Sequence, residues 1–245
     1  MQPQAISFDL DGTLVDTAAE IAEAANRTLV EFGFEREPVA RIQLLIGRGS
    51  HALMSAVLAR ALAERDTARE LDEVGVLARF DAHYADTTGE LSAPYAGAHE
   101  SLELLREHGV QLACVTNKEF RHARRLLHRH GLHRHFELLV GGDSLPWQKP
   151  DGRVLRTVAR ALNVSRSVMV HVGDSAIDVE ASRNAGLRAW ALPYGYNAGR
   201  PVAEAGPDAL MPDLMSVAQA AMALPRECGS GGLGQPRVRY GGVVG

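Results

Sequence analysis

Cysteine and lysine are almost absent from this 245-residue chain, which has two of each. Two cysteines, Cys114 in an apolar run and Cys228 in a glycine-rich stretch, exclude a disulfide framework and fit a reducing compartment. No segment approaches the roughly 18 consecutive apolar residues that span a membrane. The opening residues, MQPQAISFD, lack the basic stretch and apolar core of a secretory signal. Charge of one sign is missing as well: 26 Lys plus Arg against 30 Asp plus Glu give a net charge of −4. That weak acidity offers no electrostatic footprint for nucleic acid or an anionic lipid surface. A soluble, cytoplasmic protein with neither nucleic-acid nor membrane partners is therefore expected. What is present is ordinary globular material, 46% hydrophobic and 23% charged. The length suits one large domain, or one domain with a smaller insert.

Hydrophobic patterning divides the chain. Residues 4–9 read as a short buried strand running into a polar turn, and Ile21, Ala25, Leu29 and Phe32 recur at helical spacing. From 39 to 91 the periodicity stays helical, with almost no β-branched clusters. After Pro94 strands and helices alternate: a helix over 97–108, a strand over 110–116, then a helix rich in Arg and His. Apolar runs at 137–140, 168–172 and 187–192 are separated by helical segments at 151–163 and 176–185. This alternation predicts an α/β fold, a parallel sheet with helices on both faces. The strandless block 17–92 reads as an all-helical insert, with 1–16 and 93–225 forming the main body. Seven of the 21 residues from Pro225 onward are Gly, so 226–245 is expected to be a flexible tail.

The chemistry sits where predicted strands end. Asp9 and Asp11 are two apart, so both carboxylates emerge on one side at a strand's carboxyl end. At about 5 Å they would repel by roughly 3 kcal/mol at an effective dielectric near 20, and so need a cation, a shared proton or separation. Taken alone, Asp11-Gly12 could be a simple polar turn. A second pair, Asp174 and Asp178, follows the strand at 168–172 and can share a helix face, with Ser175 as its cap. Alone, that pair could be acidity favoured at a helix start. Four acidic groups at one sheet edge suit a hard cation such as Mg²⁺, which keeps waters for phosphate oxygens to replace. Thr116-Asn117 ends the strand 110–116 and offers either an anion-holding hydroxyl and amide or a plain helix cap. Lys149 lies in a strand-to-helix loop of the same sheet, and a compact ammonium suits phosphate as a point charge.

FDLDGTLVDT (8–17), VTNK (115–118), KP (149–150) and GDSAIDVEA (173–181) resemble, in order, the four motifs of the haloacid dehalogenase-like phosphatases. The resemblance covers residues 5–224 and implies a Rossmann-like core with a small helical cap inserted after the first motif. It implies Asp9 as a nucleophile forming an aspartyl-phosphate, and Asp11 as the acid that protonates the leaving oxygen and then activates water. It also implies phosphate binding by Thr116, Asn117 and Lys149. Mg²⁺ ligation would come from Asp9, the Asp11 carbonyl and Asp174, with Asp178 in support. LIGRGSHALM (45–54) is similar to a cap segment that faces substrate; there either Arg48, between Gly47 and Gly49, donates to a substrate carboxylate, or Arg48 is solvated and the loop's N–H groups bind it. PYGYNAG (193–199) is similar to a loop of phosphoglycolate phosphatases, which implies 2-phosphoglycolate as the small phosphate-ester substrate. One departure is Asp151-Gly152, where relatives often carry a further proline after Lys149-Pro150.

Other readings compete. Asp9, Asp11 and Glu20 fall at positions 1, 3 and 12 of a calcium-binding loop, but Leu14 stands where Gly is required. Gly47, Gly49 and Ala52 match a dinucleotide fingerprint, but lie in the helical block without a βαβ unit. A mutase, or a phosphatase for another small ester such as a sugar phosphate or pyrophosphate, would show the same four motifs. The segment 121–136 holds five of the ten histidines and reads as a solvated basic helix face. His171 reads as a satisfied core histidine, and Leu53, Met54, Val57, Leu58 and Leu62 read as core of the insert.

Overall fold

The computed structural model describes residues 1–65 and 72–224. Strand β1 (Ala5–Phe8) leads into a loop and the two-residue strand β2 (Val15–Asp16). Four helices follow: α1 (Ala18–Glu31), α2 (Val39–Gln43), α3 (Ser50–Arg65) and α4 (Glu73–Thr87). Strand β3 (Ala93–Pro94) pairs antiparallel with β2, so a small ribbon gathers both ends of the helical block. Then come α5 (Ala98–Glu107), β4 (Gln111–Val115), α6 (Phe120–Arg129) and β5 (Leu138–Val140). The rest is α7 (Gly152–Ala161), β6 (Met169–Gly173), α8 (Ala176–Ala185), β7 (Arg188–Ala191), β8 (Ala209–Leu210) and α9 (Leu214–Ala223). Among the described residues no helix is long and apolar enough to cross a membrane. The stretch expected as a flexible tail, with Cys228, lies outside the described residues.

The main sheet is parallel throughout, in the order β5-β4-β1-β6-β7-β8. Alternation along each strand decides which face a residue serves. Ile6, Phe8, Leu112, Cys114, Val170 and Val172 pack on one side with α5, α6 and α9. Ala5, Ala113, Val115 and Met169 pack on the other with α7 and α8. Every residue of β1 is buried, as a central parallel strand requires. After β5 the chain returns across β1 to build β6, so the strand order reverses around β1. Crevices at such a switch point, beyond the strands' carboxyl ends, are where open α/β sheets bind ligands. Here that edge carries Asp9, Thr116 and Asp174.

The helical block has its own apolar cluster, with Ile21, Leu29, Met54, Val57, Phe80 and Tyr84 among its members. Leu53 and Leu58 belong to it and Leu62 packs against it, as the helical spacing predicts. Two surprises concern histidine. His122 and His135, expected on a solvated face, are buried at 2% and 1% exposure. His122 lies against the Tyr84 ring at 4.5 Å and beside Thr88, so α6 turns one histidine toward the helical block. Burial, with nearby arginines, lowers the pKa of both rings to about 4. Unfolded imidazole takes a proton near 6.5, so between those values the unfolded chain binds more protons. Stability should therefore fall as pH is lowered from about 6.5 toward 4, and His122→Gln should flatten that fall in thermal melts. An unchanged pH profile in the variant would exclude His122 as a contributor.

Candidate active site

Asp9 follows β1 directly, and its backbone N–H donates to the Val172 carbonyl at 2.9 Å, fixing it between β1 and β6. Asp9, Asp174 and Asp178 each bring one carboxylate oxygen within 4.8 Å of the others. Lys149 answers this charge: its Nζ lies 2.9 Å from Asp9 Oδ1 and 2.7 Å from Asp178 Oδ1. It also donates to the Val115 carbonyl at 2.9 Å. Burial works against the ammonium, yet the Asp178 and Asp9 charges outweigh it and hold the Lys149 pKa above the usual lysine value. Burial also raises Asp9 to about 6, with Lys149 opposing and Asp178 and Asp11 reinforcing. Asp174 is pushed well up by burial and then by the Asp178 and Asp9 charges. For Asp178, burial is overcome by Lys149 and His171, and its carboxyl stays ionised.

A buried polar ladder explains His171. On the sheet face that meets α7 and α8, Ser7 Oγ lies 2.9 Å from His171 Nδ1, and His171 Nε2 lies 3.1 Å from Asp178 Oδ1. The core histidine is satisfied, and its partner is a site residue. At the start of α8, Asp178 Oδ2 accepts from the Ser175 hydroxyl at 2.6 Å and from the Ser175 N–H at 3.2 Å. Gly173 is needed for this approach, because a Cβ there would stand 2.2 Å from the Asp178 carboxyl carbon. Asp151 accepts from the Arg153 N–H at 2.8 Å and caps α7, so the departure after Lys149-Pro150 starts a helix.

Asp11 projects from the loop between β1 and β2. Its Oδ1 accepts from Thr17 Oγ1 at 2.7 Å and from Lys118 Nζ at 2.8 Å. No protein donor falls on Oδ2 among the described residues, so that oxygen is available to a ligand. Lys118 was not singled out as a site residue by its sequence context, yet it is 3% exposed and lines the cleft. Its ammonium also donates to the Tyr84 hydroxyl from α4 and lies 3.8 Å from Glu20 Oε1 of α1. Burial disfavours its charge, but Asp11, Tyr84 and Glu20 more than compensate and raise its pKa.

The cleft occupies about 400 Å³ including its open mouth, with Asp9, Asp11, Thr116, Asn117 and Lys118 on the sheet side. Ile21, Ile46, Gly47, Gly49, Ser50, Leu53 and Tyr84 line it from the helical block. Asn117, expected to hold phosphate, instead ties pieces together. Its amide donates to the Gly47 and Lys149 carbonyls at 2.9 and 2.8 Å, and its Oδ1 accepts from the Lys149 N–H at 2.9 Å. Both amide hydrogens are thereby used, so its side chain positions Lys149 and the 45–50 loop. Ser50 Oγ donates to Glu119 Oε1 at 2.6 Å and docks the same loop. Arg48 is exposed and does not line the cleft, whereas its flanking glycines do.

The loop PYGYNAG does not line the cleft either. It braces the acidic cluster: the Tyr196 N–H donates to Asp174 Oδ2 at 2.5 Å, and Thr13 Oγ1 donates to Asp174 Oδ1 at 2.5 Å. At Gly195 a Cβ would lie 2.2 Å from Asp174 Oδ2, so a side chain is excluded there. The Tyr196 hydroxyl donates to Asp16 and accepts from the Thr17 and Ala18 N–H groups at 2.9 and 3.0 Å, anchoring the start of α1.

Comparison with known proteins agrees with this architecture. The pattern of the haloacid dehalogenase-like hydrolases matches residues 6–192. A Cupriavidus necator protein named "Phosphoglycolate phosphatase, plasmid" is 42% identical over 210 residues, spanning 86% of this chain and 89% of its own. The Pseudomonas aeruginosa protein "Phosphoglycolate phosphatase 1" is 38% identical over 212 residues, 86% of this chain and 77% of its own. A crystal structure described as a predicted phosphoglycolate phosphatase from Haemophilus somnus aligns with a TM-score of 0.86 at 29% identity, covering 90% of this chain and 98% of that one. The chain belongs to the haloacid dehalogenase-like hydrolase family.

Proposed function

We propose that this enzyme hydrolyses 2-phosphoglycolate to glycolate and phosphate through an aspartyl-phosphate on Asp9, with residues 17–92 acting as a cap over the core 1–16 and 93–225. The observation that carries the reading is the pairing of Asp9 and Asp11 on the cleft floor, in a chain 42% identical to a protein named for that activity. Three carboxylate oxygens gathered within 4.8 Å are hard donors, and burial, followed by the Asp178 and Asp9 charges, pushes the Asp174 carboxyl well up. That donor set fits Mg²⁺. Asp9, Asp174 and the Asp11 carbonyl would hold it, with Asp178 in support, and it would supply positive charge to neutralise phosphoryl oxygens.

An Asp9 oxygen attacks phosphorus, and the bond from phosphorus to the glycolate oxygen breaks. Asp11 gives that oxygen a proton, then takes one from the water that hydrolyses the aspartyl-phosphate. Thr116 lines the cleft, and its hydroxyl would donate to the phosphoryl group. Lys149 keeps Asp9 next to a positive charge while like charges approach.

A substrate panel tests the reading. Phosphate release from 2-phosphoglycolate should exceed that from hexose phosphates and pyrophosphate by about tenfold or more in kcat/KM. EDTA should abolish it and Mg²⁺ restore it, with Ca²⁺ a poor substitute because its looser, longer coordination misplaces the phosphoryl group. Preference for a hexose phosphate would reassign the substrate, and full activity after metal removal would exclude the metal.

A further inference from the structure

We infer that Lys118 is the residue that receives the carboxylate of the substrate, and so sets the preference for an anionic two-carbon ester. The inference rests on the proposed function and deepens it. Once the phosphoryl group is at Asp9, the remaining charge of 2-phosphoglycolate lies two bonds beyond the bridging oxygen. That oxygen must face Asp11. A cation one hydrogen bond past Asp11 is thus at the required reach, and Lys118 Nζ is 2.8 Å from Asp11 Oδ1. Among the described residues that line the cleft it is the sole cation.

The donor count supports the assignment. An ammonium has three N–H groups. Lys149 donates to Asp178 and to the Val115 carbonyl at 2.7 and 2.9 Å and is ion-paired with Asp9 Oδ1 at 2.9 Å. Lys118 makes two hydrogen bonds, to Asp11 and Tyr84, while Glu20 Oε1 stands off at 3.8 Å. One donor is therefore left for a ligand. Glu20 is fully buried, its Oε2 accepts from the Gly89 N–H at 2.7 Å, and its Oε1 has no hydrogen-bond partner. Burial pushes the Glu20 carboxyl up and the Lys118 charge opposes it, and an ionised Glu20 would keep the ammonium in place when Asp11 carries the proton it will donate. Arg48, the alternative cation, is exposed outside the cleft.

The experiment is a cycle between residue and substrate, run with Mg²⁺ present. Wild type and Lys118→Gln are compared on 2-phosphoglycolate and on its neutral isostere, 2-phosphoglycolamide. Wild type should favour the acid by about 10- to 100-fold in kcat/KM, the effect of one charged hydrogen bond. In Lys118→Gln that preference should collapse to within about threefold, whatever the loss common to both esters. Lys118→Arg should keep the preference at a raised KM, because the charge persists on a longer arm. An equal loss on both esters, with the wild-type preference retained, would mean that Lys118 only holds Asp11, and would overturn the inference. Wild type that hydrolyses both esters equally well also overturns it, even if the variant does not fold, and leaves the proposed function standing. Failure of wild type on 2-phosphoglycolate defeats the proposed function instead.

Discussion

Asp9→Asn should lower kcat by about 10⁴-fold or more without lowering stability. An amide nitrogen or oxygen cannot form the acyl-phosphate, so the covalent route is closed while binding surfaces persist. The stability half of the expectation follows from the neighbourhood. Asp9 is held near pKa 6 by burial, against a usual value of 3.8. Between those values the folded chain binds the extra proton, so ionised Asp9 is a net cost that grows as pH rises through the window. Asparagine carries no charge at any pH and removes repulsion with Asp178 and Asp11. In metal-free buffer at neutral pH the variant should therefore melt at or above the wild-type temperature. Trading function for stability in this way is common where an active site concentrates like charge. A variant retaining more than about 1% of kcat would place the nucleophile elsewhere, since other side chains recover little once a covalent nucleophile is gone. A lower melting temperature would contradict the electrostatic account even if activity were lost.

Much of this site is legible in the sequence, because each main residue sits one step beyond an apolar run. Asp9 follows AISF, Thr116 follows QLACV, and Asp174 follows MVHVG, the very runs that form β1, β4 and β6. Parallel strands align their carboxyl ends, so separate motifs meet at one edge without any need to know the loops. The partners of Lys118 are different. Tyr84 and Glu20 reach it from two helices of the insert, and helical spacing says which face is apolar, not which polar atom points at the core. Rarity was the available signal: both lysines of the chain are buried beside site carboxylates. Asn117 was legible as a site position but not in its role, because three long-range contacts decide what its amide binds. Arg48 fails for a related reason. A glycine on either side marks a loop that approaches its neighbours closely, but does not aim the side chain between them. Strand β8 and the ribbon of β2 and β3 are only two residues long, too short for alternation to show. Helix α9, LMSVAQAAMA, is so uniformly apolar that periodicity gives it no face, and its place against α5 becomes clear only in three dimensions.

Lys149→Met should damage stability as severely as activity, and acid should relieve the first but not the second. The side chain is 4% exposed and stands between Asp9 and Asp178. Methionine matches its stem as far as Cε but leaves two carboxylates facing an apolar group. Breaking a buried ion pair by deleting one partner costs about 3–5 kcal/mol, because the other charge stays buried and unpaired. At about 2–4 °C per kcal/mol for a chain of this size, the melting temperature should drop by roughly 6–20 °C at neutral pH. Asp178 decides the pH dependence. Lys149 and His171 hold its carboxyl below the usual value, so in wild type it contributes stability above about pH 4 that is lost as acid protonates it. Without Lys149 that contribution is gone, and the gap between variant and wild type should close as pH falls below about 4. Adding Asp178→Asn to the variant should likewise recover part of the lost stability at neutral pH, because the orphaned charge is removed. It should recover no activity. The cation beside the proposed nucleophile is still missing, and loss of one such preorganised charge costs about 10²–10³ in kcat. Melting curves from pH 7 down to about pH 2 for wild type, Lys149→Met and the double variant separate these contributions. A gap that stays constant with pH would show that Lys149 stabilises the fold through packing and its bond to the Val115 carbonyl, not through the carboxylates.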